Sequence, residues 1–201
     1  MKLYHSGTSP YVRKVMVTLH LTGQTGAVDL IPGSGTPLEP NAATAAANPL
    51  GKIPCLVTEE GLSLYDSRVV CRYLDWRGSA GLYPEGAALF PVLAQEALAD
   101  GIIDAALLAV YEGRLRPVDK QFPDWVASQL AKCAKATAAL EAQAASLNGP
   151  VTAGHIAVGC ALGYLDLRHG DLGWRAAAPA LAAWFEAFAA TPAMVDTAPP
   201  A

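Results

Sequence analysis

Apolar positions follow two different periods along this chain, and the change from one to the other divides it. Residues 2–5 read as a short strand, followed by a hydroxyl-rich turn, Ser6-Gly-Thr-Ser-Pro10. Pro10 suits the first position of a helix with Ser9 as its N-cap, because the N–H that proline lacks is unused at a helix start. Val12, Val15, Met16 and Leu19 recur at i, i+3, i+4 and i+7 and predict a core-facing helix that stops at Thr22-Gly23. Residues 27–31 predict a second strand, and strand-helix-strand implies a parallel pair. Residues 32–48, with Gly33, Gly35, Pro37 and Pro40 ahead of an alanine-rich run, predict an irregular loop and then a short helix over 42–47. Leu56-Val-Thr58 and Leu62-Ser-Leu64 alternate around Glu59-Glu-Gly61 as a hairpin, and 67–76 predicts a helix. The order is βαβ, a short helix, then ββα, which makes a mixed sheet with flanking helices.

Past residue 76 the strand signal disappears. Residues 77–88 shift toward Gly, Ser and Pro, and Pro84-Glu-Gly86 reads as a linker. Residues 90–113 predict a long helix that tolerates Pro91 in its first turn, and 123–147 predict another. In the second, Val126, Leu130, Cys133, Thr137, Leu140, Ala144 and Leu147 keep an inward stripe. Residues 156–164 carry no charge, as expected of a helix at the centre of a bundle. A further helix is predicted over 179–189, and 197–201 reads as a frayed end. The expected organisation is an α/β domain over 1–77, a linker over 78–88 and an all-helical domain over 89–201.

Composition narrows the functional classes. At 201 residues, 52% of them apolar, the chain has ample material for a core. A net charge of -4, with 16% charged residues and no basic run, excludes a nucleic-acid groove. No apolar signal segment opens the chain, and the most apolar stretch, 97–110, is broken by Asp100 and Asp104, so no membrane span is expected and the location expected is cytoplasmic. Cys55, Cys71, Cys133 and Cys160 form no C-x-x-C pair and read as buried reduced thiols. His5, His20, His155 and His169 show no metal-ligand spacing, and no metal is expected.

The candidate chemistry gathers around Asn48-Pro-Leu-Gly-Lys-Ile-Pro54 and Asp66-Ser67. Pro54 donates no ladder hydrogen bond and restrains Ile53 to an extended shape at the mouth of a strand. A cis Ile53-Pro54 bond, which for an X-Pro peptide costs only about 0.5–1 kcal/mol, turns the N–H and C=O of Ile53 outward to meet an extended peptide. Asp66 and Ser67 open the following helix, where the dipole favours an anion.

Together with Ser9-Pro10-Tyr11 and the Asp100-Gly-Ile-Ile-Asp104 stretch, these motifs resemble the glutathione S-transferase family, especially its small bacterial serine-type members, over essentially the whole chain. The resemblance implies a thioredoxin-like N-terminal domain, an all-α C-terminal domain and glutathione as co-substrate. It implies that Ile53, held by Pro54, clamps the cysteinyl residue of glutathione. Ser67 would meet the γ-glutamyl carboxylate, Asp66 would face the ligand's ammonium or hold the turn, and Lys52 would reach a ligand carboxylate. Ser9 stands where the cysteine of Cys-Pro-Tyr stands in glutaredoxin-like relatives. A thiol of pKa about 8.5 is a few per cent ionised at neutral pH, and it is the thiolate that attacks. A hydroxyl donated to the sulfur at the positive end of the helix favours thiolate, and lowering the pKa by about two pH units makes it the majority form. Tyr4, Ser6, Thr8 and Tyr11 are rival hydroxyls. A small hydrophobic electrophile is the expected second substrate, in a pocket bounded by the Ser9–Tyr11 turn and by Leu107 and Tyr111.

Rival functions remain open at this point. A glutathione-dependent disulfide or peroxide reductase calls for a cysteine at the first helix, and a non-catalytic glutathione-fold module would bind a protein partner instead. Two features depart from the family pattern. The helix beginning near Thr152 has His155 where the capping-box carboxylate is expected, which weakens the cap by about 0.5–1 kcal/mol. No side chain in 32–47 stands out as a holder of the glycyl end. Glu96, Asp100 and Asp104 recur every four residues on one helix face. In the homodimer that the resemblance implies, this stripe is expected to face the partner's Arg68 and Arg72 or its ligand's ammonium; otherwise it is solvated.

Overall fold

The structure is a computed structural model that describes residues 1–200. The chain forms two compact units. One comprises Met1–Pro84 together with the residues from Pro192 onward, and the other is Glu85–Thr191.

The first unit contains β1 (Lys2–His5), α1 (Pro10–Leu21), β2 (Asp29–Pro32), α2 (Ala42–Ala47), β3 (Cys55–Val57), β4 (Ser63–Tyr65) and α3 (Ser67–Gly78). The four strands form one sheet in the order β2-β1-β3-β4, parallel between β1 and β2 and antiparallel elsewhere. Leu3 and Leu56 project from the sheet into a core completed by Val15 and Leu19 of α1 and Val70, Cys71 and Leu74 of α3. The α1 stripe is buried at Val12, Val15 and Leu19, with Met16 half-buried at its margin. The second strand starts later than its apolar pattern suggests, because a 3₁₀ turn occupies Thr25–Ala27. The composition of 78–88 reads as a linker, yet Leu82 is buried, and the N–H groups of Leu82 and Tyr83 donate to the Asp75 carboxylate at 2.8 and 3.0 Å. Asp75 thereby pins this stretch of chain to the end of α3.

The second unit is all helical: α4 (Leu89–Leu115), α5 (Pro123–Ala142), α6 (Ala153–Arg168), α7 (Trp174–Ala177) and α8 (Pro179–Ala189). α6 is buried without interruption from Ala153 to Leu162 and packs against α4, as its uncharged sequence requires. The inward stripe of α5 is buried at Cys133, Thr137 and Leu140, but the helix ends at Ala142 and a 3₁₀ turn carries Leu147 into the core. Glu141 then spans to the next helix, where its carboxylate accepts from the N–H groups of Ala180 and Leu181 at 3.1 and 2.7 Å and caps α8. The acidic stripe of α4 is not a solvated face. Glu96 and Asp100 are 1% and 7% exposed, and only Asp104 lies at the surface.

A short last helix, α9 (Pro192–Asp196), clusters with the first unit and not with the helical one, in contrast to the expected domain over 89–201. Arg13 Nη2 donates to the Met194 carbonyl at 2.9 Å, and His20 lies 3.8 Å from Asp196. Residues beyond it do not fray as expected. The Thr197 hydroxyl donates to the Ala193 carbonyl at 2.7 Å, and Pro200 packs where a Cβ on Gly7 would meet it at 3.2 Å. Ala201 lies outside the described residues.

The imidazole at the start of α6 takes the part of the missing carboxylate. Nδ1 of His155 accepts from the Thr152 backbone N–H at 2.9 Å, completing a capping box. With Nδ1 as acceptor the ring proton sits on Nε2, which is buried and falls short of a hydrogen bond to the Leu147 carbonyl. That carbonyl takes the Trp184 Nε1 proton at 3.1 Å. Burial pushes His155 below its ordinary value of 6.5, with the Leu147 carbonyl opposing. The folded protein therefore resists protonation at this ring, so the contribution to stability is complete above pH 6.5 and is lost as the pH falls below it. Urea unfolding between pH 7.5 and 5 is expected to show a loss of stability from this site, and His155→Gln should flatten the profile in that window. An equally steep profile in the variant would assign the loss to other groups.

Candidate active site

Strand register brings the candidate residues of the first unit to one end of the sheet. His5 pairs with Pro32, Tyr4 pairs with Cys55, and Cys55 pairs with Tyr65. Accordingly the turn after β1, Gly33 after β2, Ile53-Pro54 before β3 and Asp66-Ser67 after β4 all emerge at that end.

Ser9 is the N-cap of α1, and its Oγ accepts from the Val12 N–H at 3.3 Å. A serine hydroxyl has two lone pairs and one proton, so this bond occupies an acceptor site and leaves the proton free to donate. Capping and donation to a ligand are therefore compatible. Among the rival hydroxyls, Ser6 and Thr8 lie 3.5 Å apart, with Thr8 exposed, while Tyr4 and Tyr11 are half-buried.

The Ile53–Pro54 peptide is cis, Pro54 is buried, and Ile53 lies beyond the last pair of both adjoining ladders. The loop leading to it is organised by Asn48, a role the sequence reading did not identify. Asn48 is 1% exposed, its Nδ2 donates to the Lys52 carbonyl at 2.7 Å, and its Oδ1 accepts from the Leu50 N–H at 3.0 Å. The Lys52 side chain is exposed. Beneath Ile53 lies a second unrecognised support. Thr44 donates to the Gly33 carbonyl at 3.1 Å, and a Cβ on Gly33 would stand 2.7 Å from Thr44 Oγ1 and 3.0 Å from Ile53 Cγ2. The irregular stretch 32–47 thus contributes a glycine and a threonine whose packing sets the position of Ile53.

Asp66 has a positive φ of 68°, an uncommon conformation for a residue with a side chain. Its Oδ1 accepts from the Arg68 N–H at 2.9 Å and from Nε at 3.1 Å, and its Oδ2 accepts from Nη2 at 2.8 Å. These bonds brace the turn at the start of α3. The Arg68 fork keeps its carboxyl below the usual carboxylate range, and the buried Lys14 of α1 adds a smaller effect of the same sign. Ser67, 3% exposed, occupies the first position of α3, and its hydroxyl makes no hydrogen bond among the described residues.

In the helical unit, Leu107 and Tyr111 are half-buried on α4. Arg68 is engaged by Asp66, and Arg72 lies 5.4 Å above the Tyr83 ring, so both arginines expected to meet a partner's acidic stripe have contacts within the chain. All four cysteines are buried thiols outside any disulfide, and burial pushes the Cys55 and Cys133 thiols up, away from the thiolate form. Among the described residues no group of three or more His, Cys, Asp or Glu side chains could hold a metal ion, and no helix is long and apolar enough to cross a membrane.

A thioredoxin-like βαβ-ββα unit that presents a cis-proline segment and a capped helix start, followed by an all-α bundle, is the architecture of glutathione transferases. Residues 8–77 match the glutathione S-transferase N-terminal domain, and residues 123–187 match its C-terminal domain. A glutathione transferase family member from Pseudomonas fluorescens Pf-5, solved with bound glutathione, is 46% identical with a TM-score of 0.97, over 100% of this chain and 99% of that one. A second structure from that organism holds S-(propanoic acid)-glutathione; it is 45% identical with a TM-score of 0.93, over 100% of both chains. The GST-like protein YibF of Escherichia coli (strain K12) is 35% identical over 205 residues, covering 100% of this chain and 99% of that protein. The chain belongs to the glutathione S-transferase family.

The packing under Ile53 can be tested directly. Gly33→Ala is expected to lower the unfolding free energy by about 1–3 kcal/mol, measured by urea titration, since the added methyl must displace Thr44 or Ile53. A stability equal to that of the parent protein would show that this contact has slack.

Proposed function

We propose that this glutathione S-transferase activates the thiol of bound glutathione through the Ser9 hydroxyl and presents the thiolate to a hydrophobic electrophile. One observation carries the reading. Ser9 is tied to the first turn of α1 through an acceptor lone pair, so its proton is available to a sulfur at the positive end of the helix. Ile53 serves as the backbone clamp for the cysteinyl residue, with Pro54 fixing its direction. Ser67 receives the γ-glutamyl carboxylate at the start of α3, where its hydroxyl and the helix dipole favour an anion. Asp66 acts through the turn it braces, and the exposed Lys52 side chain reaches a ligand carboxylate. A relative solved once with glutathione and once with its S-conjugate supports the choice of tripeptide. Tyr11 offers an aromatic surface near Ser9 in the first unit, and Leu107 and Tyr111 offer apolar surface on α4 of the helical unit.

The reductase reading has less support. Serine occupies the position where a mixed disulfide would need cysteine, and the chain's cysteines are buried. Four reduced thiols fit a reducing compartment, and a cytoplasmic location follows from this reading. α3 presents Val69 and Trp76, 48% and 74% exposed and seven residues apart, a face that suits a second copy of the chain in a homodimer.

Ser9→Ala is expected to lower kcat/KM with a model aryl halide at pH 6.5 by about 10–100-fold and to move the pH–rate midpoint up toward the free thiol near 8.5. An unchanged pH profile would return the role to a neighbouring hydroxyl. Ser67→Ala should weaken glutathione binding about tenfold in calorimetry, the loss expected for a hydrogen bond to a charged group. Retained affinity would place the carboxylate elsewhere.

A further inference from the structure

The turn that carries Ser9 is bounded on its outer side by a part of the chain for which the chemistry above has no use. Both oxygens of Ser9 are held by consecutive residues of α1. Its Oγ accepts from the Val12 N–H at 3.3 Å, and its carbonyl accepts from the Arg13 N–H at 3.0 Å. The Ser9 N–H donates back to the Ser6 carbonyl at 3.2 Å. The place of the serine hydroxyl is therefore set by where the first turn of α1 stands.

That turn is gripped from outside at two points, both within the first unit. Arg13 Nη2 donates to the carbonyl of Met194, a residue of α9 that is 1% exposed. His20, seven residues further along and so on the same face of α1, lies 3.8 Å from Asp196 at the end of α9. Beyond α9 the chain turns, with the Ala198 N–H donating to the Val195 carbonyl at 3.1 Å. Pro199 and Pro200 follow, two residues whose rings fix φ and stiffen the run. It passes against Gly7, where a Cβ would stand 3.2 Å from Pro200 Cδ and 3.6 Å from its Cγ. Segment 192–200 thus meets the chain just before Ser9 and just after it.

Arg13 is an expensive way to make such a contact. Its Nε is shielded from solvent and has no hydrogen-bond partner, and a buried N–H without an acceptor lowers stability. A methionine would fill the place without that loss. What the guanidinium adds is direction, because its rigid plane fixes the angle at which α1 meets the Met194 carbonyl. Direction matters to Ser9, since a hydrogen bond weakens steeply once its geometry departs from linear.

We infer that segment 192–200 is a positioning element for thiol activation, that Arg13 is the positioning residue coupling it to α1, and that Pro200 seats the turn at Gly7. The inference rests on the Ser9 reading above and adds what holds that serine in place.

The test is the pH–rate profile with a model aryl halide, read beside the affinity for S-methylglutathione, which has no thiol proton to lose. Arg13→Met is expected to move the midpoint up by about one pH unit, a tenfold smaller thiolate fraction at pH 6.5. Its affinity for S-methylglutathione should stay within about twofold of the parent protein's. Arg13→Lys, which keeps a donor without the planar fork, should recover part of the shift. An unmoved midpoint in Arg13→Met overturns the inference and leaves the Ser9 reading intact. A matching loss of S-methylglutathione affinity does the same, because it marks a general loosening of the unit. A midpoint that Ser9→Ala fails to move overturns both. If Arg13→Met does not fold, Gly7→Ala decides. Gly7 lies outside the left-handed region, so its added methyl meets only Pro200. The substitution should move the midpoint in the parent protein and leave it unmoved in a chain ending at Pro199. Equal effects in the two backgrounds overturn the inference.

Discussion

Everything proposed for the first unit depends on the register of three short strands. Tyr4, Cys55 and Tyr65 stand side by side across the sheet, and that single row fixes which loops emerge together. A slip of one residue in β3 would turn its side chains to opposite faces, exposing Leu56 and burying its neighbours. It would also carry Ile53 away from Ser9 and Ser67. The register is held from both sides, by Leu3 and Leu56 in the core and by the buried Asn48 at the mouth of the strand. Catalytic geometry and core packing are therefore one constraint in this unit.

Two of the residues proposed for the site have a structural duty as well. Ser9 caps α1 and Asp66 caps α3. Such overlap arises because helix starts concentrate unpaired N–H donors and partial positive charge, the features that also suit an anionic ligand. Ser9 separates its two duties by using different parts of the hydroxyl. Asp66 shares its carboxylate in another way, with Oδ1 accepting twice from Arg68 and Oδ2 once.

Elements with a strong local signal were legible in the sequence. The α1 stripe, the hairpin around Glu59-Glu60-Gly61, the uncharged α6 and the span of α8 need no long-range information to be read. The irregular run 32–47 was opaque because its roles are tertiary. Gly33 matters through a missing Cβ, and Thr44 through a hydroxyl aimed at a backbone carbonyl, neither of which leaves a periodic trace. Glu96 and Asp100 misled for the same reason, since a charge every four residues describes a face without saying whether that face is wet. In the candidate site, the motif positions were readable while their supports, Asn48, Gly33 and Thr44, were not.

The placement of α9 with the first unit makes that unit discontinuous in sequence. The helical unit, 85–191, is in effect an insertion between the body of the α/β unit and its closing segment. During synthesis the helical unit leaves the ribosome complete before Met194 is available to Arg13 or Pro200 to Gly7. The turn that carries Ser9 is thus bordered by residues made after the whole of the helical unit, and the α/β unit gains these last contacts only once that unit has been synthesised.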